Sequence, residues 1–277
     1  MTSRKWDARI ARAGELASAY PSAAEGLRFY RCIAEFQKSL YRELEDECGK
    51  VQVARVPGML QRELDPFVLM PRFAAFLTLV ENTAPAPLAK AAAAHYASGG
   101  NSHLEILTSF WRPTPEANLG SEPSSNLDPS QALLAWMFLQ PYAEYLADYS
   151  VSPPLHATPP VCPRCSSKPL AGVLRPEGDG GKRSLICSLC ATEWEFRRIV
   201  CPGCGEENVH KLAVYTANEI PHVRVEACET CHQYIKTVDL TKDGHALAAV
   251  DELATIPLNL WAAEHGYTKI QPNLLGI

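Results

Sequence analysis

Residues 187–205 read CSLCATEWEFRRIVCPGCG, two Cys-x-x-Cys pairs, Cys187/Cys190 and Cys201/Cys204, separated by ten residues. A third pair, Cys162/Cys165, precedes them and a fourth, Cys228/Cys231, follows, so eight of the ten cysteines lie between residues 162 and 231. Two residues between cysteines let a tight turn aim both thiolates at one ion, and two such turns complete the tetrahedral set that zinc or iron takes. The outer gaps are similar, 21 residues between Cys165 and Cys187 and 23 between Cys204 and Cys228. The simplest pairing makes one site from Cys162, Cys165, Cys187 and Cys190 and another from Cys201, Cys204, Cys228 and Cys231. Each would be a zinc-ribbon or rubredoxin-like β unit, with a few short strands returning the chain to its ion. Cross-braced and nested pairings fit the same spacing.

The four turns differ in local support. In Cys201-Pro202-Gly203-Cys204-Gly205 proline presets φ and Gly205 is free to take positive φ. Cys162-Pro163-Arg164-Cys165-Ser166 keeps only the proline. The turns at Cys187 and Cys228 have neither aid and are expected to lean on flanking strands. Competing uses of the cysteines fit poorly. No apolar leader opens at Met1-Thr2-Ser3-Arg4-Lys5, which argues for a reducing, cytoplasmic setting and against disulfides. A thioredoxin-like centre uses one such pair in a βαβ setting. Cys228-Glu229-Thr230-Cys231-His232 matches the haem c attachment pattern, but it has three sister pairs at ribbon spacing.

Composition bounds the partners. The chain has 277 residues, enough for about two domains. Its longest clearly apolar run, 132–139, is too short to span a bilayer. Residues 1–160 carry a net charge of −3 and residues 161–277 of −2, together the −5 of the whole chain. A zinc-ribbon nucleic-acid-binding or transcription-associated protein is the alternative reading of the cysteines, but it needs a Lys/Arg surface against phosphates. Lys182-Arg183 and Arg197-Arg198 are too few for that, and read as solvated strand ends. Enzyme machinery is not visible either: a four-cysteine metal site is coordinatively closed. Glu193, Glu195 and Glu226 alternate with apolar residues as solvent-facing strand positions do, and His156, His210, His222 and His245 lack ligand spacing. No catalytic residues are assigned.

The pattern predicts an α+β protein. Residues 1–150 form a helical domain, with Leu27, Tyr30, Ile33, Leu40 and Leu44 on one face of a helix over 23–47. Further helices are expected over 69–81, 87–97, 103–111 and 130–149, with Pro71 and Pro141 marking a first turn or a kink. Cys32 and Cys48 have no Cys-x-x-Cys partner and read as packing residues. Residues 113–129 read as a surface loop and 151–160 as a Pro-rich linker. Alternation then replaces helical spacing, with strands over 192–199, 211–215, 222–227 and 234–240 and a hairpin tip at 178–181. The two rubredoxin-like or zinc-ribbon units, with four cysteines each, are placed at 161–199 and 200–246. A C-terminal segment, 247–277, holds a short helix over 258–265, started by Pro257 and ended by Gly266. Trp136, Phe138, Tyr142 and Tyr145 suit either core packing or a homo-oligomer contact.

The run from Cys187 to Trp194, then Arg197, the Cys201–Gly205 turn and the stretch Glu229 to Asp239 together resemble the formate dehydrogenase accessory protein family, FdhE. The ending agrees: Asp251-Glu-Leu-Ala254, Leu260 to Tyr267 and Asn273-Leu-Leu275 resemble the family's C-terminal signature. The resemblance covers residues 160–277. It implies a cytoplasmic, non-catalytic assembly factor that acts on the formate dehydrogenase catalytic subunit before export. It also implies two rubredoxin-like sites holding iron, with zinc as the alternative metal. Ser166 after Cys165 and His232 after Cys231 depart from the family pattern and bear only on turn geometry.

Overall fold

The helical face predicted over 23–47 forms α2 (Ala24–Cys48), which buries Leu27, Tyr30, Ile33, Leu40 and Leu44 together. In the computed structural model, residues 3–48, 66–111, 127–149, 158–177 and 180–277 are described. Helix α1 (Ser3–Ala19) lies against α2, followed by α3 (Pro66–Thr83), α4 (Ala86–Ser98), α5 (Gly100–Trp111) and α6 (Pro129–Tyr149). Most of the surface loop expected over 113–129 and of the linker at 151–160, the tip at Gly178-Asp179 and the side chain of Cys48 lie outside the described residues.

Helix α6 is the axis of this half, and every residue from Leu134 to Ala147 is buried. Its aromatics are core: Phe138 packs 4.9 Å from Phe73 and 5.5 Å from Phe76, and Tyr145 lies 6.0 Å from Tyr41. Trp136, Phe138, Tyr142 and Tyr145 are therefore spent inside the molecule. Pro141 sits within α6, where it has no N–H for the carbonyl of Met137. The buried amide of Gln37 on α2 donates to that carbonyl at 2.6 Å, so a neighbouring helix supplies the missing bond.

Beyond residue 160 the chain builds one mixed sheet. Strands β1 (Pro169–Glu177), β2 (Gly180–Cys187) and β3 (Glu193–Glu195) form an antiparallel set, as do β4 (Leu212–Ala217), β5 (Ile220–Cys228) and β6 (Gln233–Asp239). The sets join where β1 runs parallel to β6, giving the order β3-β2-β1-β6-β5-β4, with the two-residue β7 (Thr268–Lys269) also on β6. At that join Gly172 faces Thr237, and a Cβ at 172 would collide with the threonine side chain. The architecture is thus the expected α+β, with one four-cysteine set on each three-stranded half of a shared sheet.

Two short helices, α7 (Ala248–Ala254) and α8 (Ile256–Glu264), fasten the halves. Asp251 on α7 is fully buried; its Oδ1 accepts from Arg12 of α1 at 2.6 Å and pairs with His222 Nε2 of β5 at 2.9 Å. The next residue, Glu252, is also fully buried and faces the other way. It pairs with Lys236 of β6 at 2.8 Å and with Lys269 of β7, and accepts from Asn273 Nδ2 at 2.9 Å. Helix α8 matches the expected 258–265 segment, and Trp261 lies 4.5 Å from Tyr215.

Burial opposes the ionisation of Glu252, but Lys236 and Lys269 outweigh it and hold the carboxyl down at about 2. Burial also lowers Lys236, to about 8, against the pull of Glu252. Between the ordinary carboxylate value of about 4.3 and about 2 the unfolded chain binds the extra proton, so stability falls as pH drops through that window. Glu252→Gln should cost on the order of 3 kcal/mol at neutral pH by leaving Lys236 poorly compensated. It should also flatten the decline in denaturant midpoint between about pH 5 and pH 2. An equally steep decline in the variant would show that the acid sensitivity arises elsewhere.

Candidate metal centres

Each Cys-x-x-Cys turn is closed by a residue at positive φ immediately after its second cysteine: Ser166 at 60°, Ala191 at 52°, Gly205 at 78° and His232 at 53°. The N–H groups of Ser166, Gly205 and His232 each donate to the carbonyl of the first cysteine at 2.9 Å. The N–H groups of Cys162, Cys187 and Cys201 each donate to the carbonyl five residues on, also at 2.9 Å. This leaves other amides aimed at sulfur, with Leu189 N at 3.3 Å from Cys187 Sγ and Gly203 N at 3.3 Å from Cys201 Sγ. Ser166 and His232 adopt the same geometry as Gly205, at a cost of about 1–2 kcal/mol for each non-glycine residue. The turns lacking proline and glycine start on strand ends, Cys187 closing β2 and Cys228 closing β5.

The structure brings the eight cysteines together in two groups of four: Cys162, Cys165, Cys187 and Cys190, and Cys201, Cys204, Cys228 and Cys231. Within each group the sulfurs lie within 4.8 Å of one another. Sγ separations are 3.5 Å for Cys162–Cys190, 3.3 Å for Cys165–Cys187, and 3.7 Å for both Cys201–Cys231 and Cys204–Cys228. A tetrahedral ion with metal–sulfur bonds of about 2.3 Å needs edges of about 3.8 Å. The donor sets fit either zinc or iron, and each would leave the ion closed to water. None of the eight cysteines is in a disulfide.

The two groups differ in burial. All four cysteines of the first are buried within the large core shared with the helices. Trp136 Nε1 of α6 donates to the carbonyl of Ser188, inside the Cys187–Cys190 turn, at 3.1 Å. In the second group Cys204 is exposed and Cys231 half-buried. Burial first, then hydrogen bonding with its three companions, pushes the Cys187 thiol well up. Burial is likewise the main cause that raises Cys201, to about 11. A cation among the sulfurs would offset that burial and favour the thiolates.

The remaining sequence candidates resolve into structural pairs. Glu193 takes Arg175 at 2.6 Å, Glu195 takes Lys182 at 2.9 Å, and Glu226 takes Arg183 at 2.6 Å and Arg224 at 2.5 Å. Arg183, expected at a solvated strand end, is buried beneath this pairing. His210 and His245 are exposed, while His156 lies outside the described residues. The ligand atoms of His222, Asp243 and Asp251 converge within 4.8 Å of one another, but Arg12 already supplies the cation, 2.7 Å from Asp243 and 2.6 Å from Asp251. Asp251, Glu252 and Lys236 carry roles that spacing alone did not reveal. The one signal was Lys236 itself, in phase with Tyr234 and Val238 on an apolar strand.

Fold and site together define a helical half packed on a sheet that carries two four-cysteine clusters. Residues 161–198 match the model described as FdhE, central domain, and residues 199–275 that described as FdhE, C-terminal domain. The chain is similar to the protein FdhE homolog of Aquifex aeolicus, 36% identical over 42% of this chain and 41% of that protein. It is also similar to that of Pseudomonas aeruginosa, 41% identical over 42% of this chain and 39% of that protein. The matched stretch thus spans about two fifths of the curated relatives' length. The crystal structure of the FdhE protein from Pseudomonas aeruginosa superposes with a TM-score of 0.67 at 25% identity, covering 98% of this chain and 94% of that one. Residues 161–275 thus resemble the central and C-terminal domains of FdhE, and the described fold follows that of an FdhE protein.

Two measurements test the site. Ala191→Gly relieves an unfavourable φ and should raise the thermal midpoint by about 2 °C. Gly205→Ala, with open space around the added methyl, should lower it by a similar amount through backbone alone. A strong colorimetric chelator should draw metal in two phases, the second cluster first because Cys204 is exposed, and the first only as the protein unfolds. Release in one phase would contradict the asymmetry.

Proposed function

We propose that this chain is a non-catalytic assembly factor for formate dehydrogenase. It binds the catalytic subunit of that enzyme in the cytoplasm through a fold held by two metal ions. Cys162, Cys165, Cys187 and Cys190 would hold one, and Cys201, Cys204, Cys228 and Cys231 the other. The observation that carries the reading is the pair of closed four-sulfur clusters within a chain whose whole described fold follows that of an FdhE protein. A closed cluster offers no position for an activated water, so its chemistry is confined to fixing structure or to carrying an electron. None of the described helices is long and apolar enough to cross a membrane.

The unequal burial divides those two tasks. The first cluster, inside the main core, fixes the sheet against α6. The second, with Cys204 exposed, is the one through which an electron or an oxidant would pass. Iron is the metal this family role favours, and zinc would confine both clusters to structure. Four thiolates leave −1 around Fe³⁺ and −2 around Fe²⁺, and burial disfavours the larger charge. With iron bound, the second cluster is therefore expected to be reduced at the higher potential.

Protein purified without oxygen should show the visible absorption of ferric tetrathiolate sites after oxidation, and metal analysis should give iron. Colourless protein with two zinc ions would end the redox part of the proposal and leave the assembly role. Cys201→Ser/Cys204→Ser should retain one metal per chain and lose both capture of the catalytic subunit and formation of active formate dehydrogenase in cells. Full enzyme activity with that variant would overturn the assembly role of the second cluster.

A further inference from the structure

Beside the second cluster lies an open groove of about 480 Å³, with Cys201 and Cys228 in its lining. Its walls carry Ile199, Val209 and Val214, each more than half exposed at 52%, 57% and 54%, and gathered here rather than scattered. The wall containing Ile199 is held in place. Arg183 Nη1 donates to the carbonyls of Arg197 and Val200 at 2.9 and 3.3 Å, while its Nη2 donates to Glu226.

Charge in the groove is unbalanced. Arg183, Arg198 and Arg224 line it against a single carboxylate, Glu226. Arg183 and Arg224 both bond to Glu226, leaving the guanidinium of Arg198 bonded to the carbonyl of Gly181 at 3.3 Å. The groove is therefore apolar with a positively charged side chain, Arg198, on its rim, although the chain as a whole is acidic.

One border of the groove is β4, an edge of the sheet among the described residues. Edge strands in monomers are commonly blunted by charge, proline or short length. The opposite edge, β3, follows that rule, with three residues, Glu193-Trp194-Glu195, and both glutamates exposed. Strand β4 differs: its six residues, Leu212-Ala213-Val214-Tyr215-Thr216-Ala217, carry no charge and no proline, and its register is regular up to the shift between Thr216 and Ala217. The regular run Leu212–Thr216 is long enough to pair with a five-residue segment of another chain.

From these features we infer that an extended, apolar segment of the client polypeptide carrying a carboxylate adds to β4 as a further strand. Its apolar side chains sit against Ile199, Val209 and Val214, and its carboxylate sits at Arg198. Backbone hydrogen bonds along β4 provide the pairing, while the apolar walls and the rim charge select the segment. The inference rests on the assembly role proposed above and locates its docking surface next to the more exposed cluster.

Immobilised peptides tiling the formate dehydrogenase catalytic subunit, probed with the full-length metal-loaded protein, test it alongside capture of the intact subunit. Val214→Asp and Arg198→Glu alter exposed side chains, so both variants should keep their metal content and thermal midpoint. Each should weaken capture by at least about tenfold and abolish binding to the apolar, acidic peptides. Leu260→Asp, on the exposed face of α8, should stay within about twofold of the parent. Capture that survives Val214→Asp and Arg198→Glu overturns the groove and leaves the assembly role standing. Failure of the parent protein to capture the subunit overturns the assembly role and the groove with it. A dimer of the parent protein that Val214→Asp dissolves, without loss of client capture, assigns the groove to a second copy and likewise overturns the inference.

Discussion

Two adjacent carboxylates, Asp251 and Glu252, fix the relation of the helical half to the sheet. On a short helix neighbouring side chains diverge, so one acid reaches Arg12 on α1 while the other reaches Lys236 and Lys269 in the sheet. Both are fully buried, and a buried charge left alone is far more costly than one that is paired. The pairs therefore act as address labels. Any packing that slides α7 along the sheet strands Lys236 or Asp251 without a partner. Asn273 extends the arrangement by bonding to Glu252 and to the N–H groups of Leu275 and Ile277, which turns the last residues back onto the core.

Within that frame the two four-cysteine groups, alike in their turns, occupy different settings. The first is embedded where Trp136 reaches the Cys187–Cys190 turn and where Leu185, Leu189 and Trp194 continue the helical core. The second stands over a smaller core formed by Val223, Val225, Tyr234 and Val238 under α8. Its last turn is steadied from outside by the bond from the Tyr267 hydroxyl to Glu229. The same local geometry thus serves a fixed joint in one place and a partly open surface in the other.

What the sequence discloses follows from how local each signal is. Cysteine turns, capping residues and the apolar face of α2 are written within a few residues, and the structure forms them where the spacing puts them. The sequential pairing of the turns is one of three that the spacing allows, and it takes the ladders β1–β2 and β4–β5, which bring Pro169 beside Cys187 and Leu212 beside Cys228, to select it. Strand β1 is not legible because its first six residues are buried, which removes the alternation that marks a half-exposed strand. Helix α7 is equally hidden, being seven residues long and held by ion pairs to distant segments. Arg183 and Glu226 read as surface residues for the same reason: the two partners lie 43 positions apart.

Sequence similarity covers 42% of this chain in the Aquifex and Pseudomonas relatives, yet the superposition on the Pseudomonas FdhE structure covers 98%. The helical half is built mostly from apolar contacts, and a core of that kind accepts exchanges of side chain when volume and pattern are kept. The sheet half has less freedom. Four sulfurs must converge twice, turns must adopt positive φ, and buried charges must find particular partners. A few helical residues share those constraints because they face fixed polar groups. Arg12 meets Asp251, Gln37 closes the carbonyl that Pro141 leaves open, and Trp136 donates to Ser188. At these positions a substitution of equal volume cannot stand in, since it is the donated hydrogen bond that holds the neighbouring element in place.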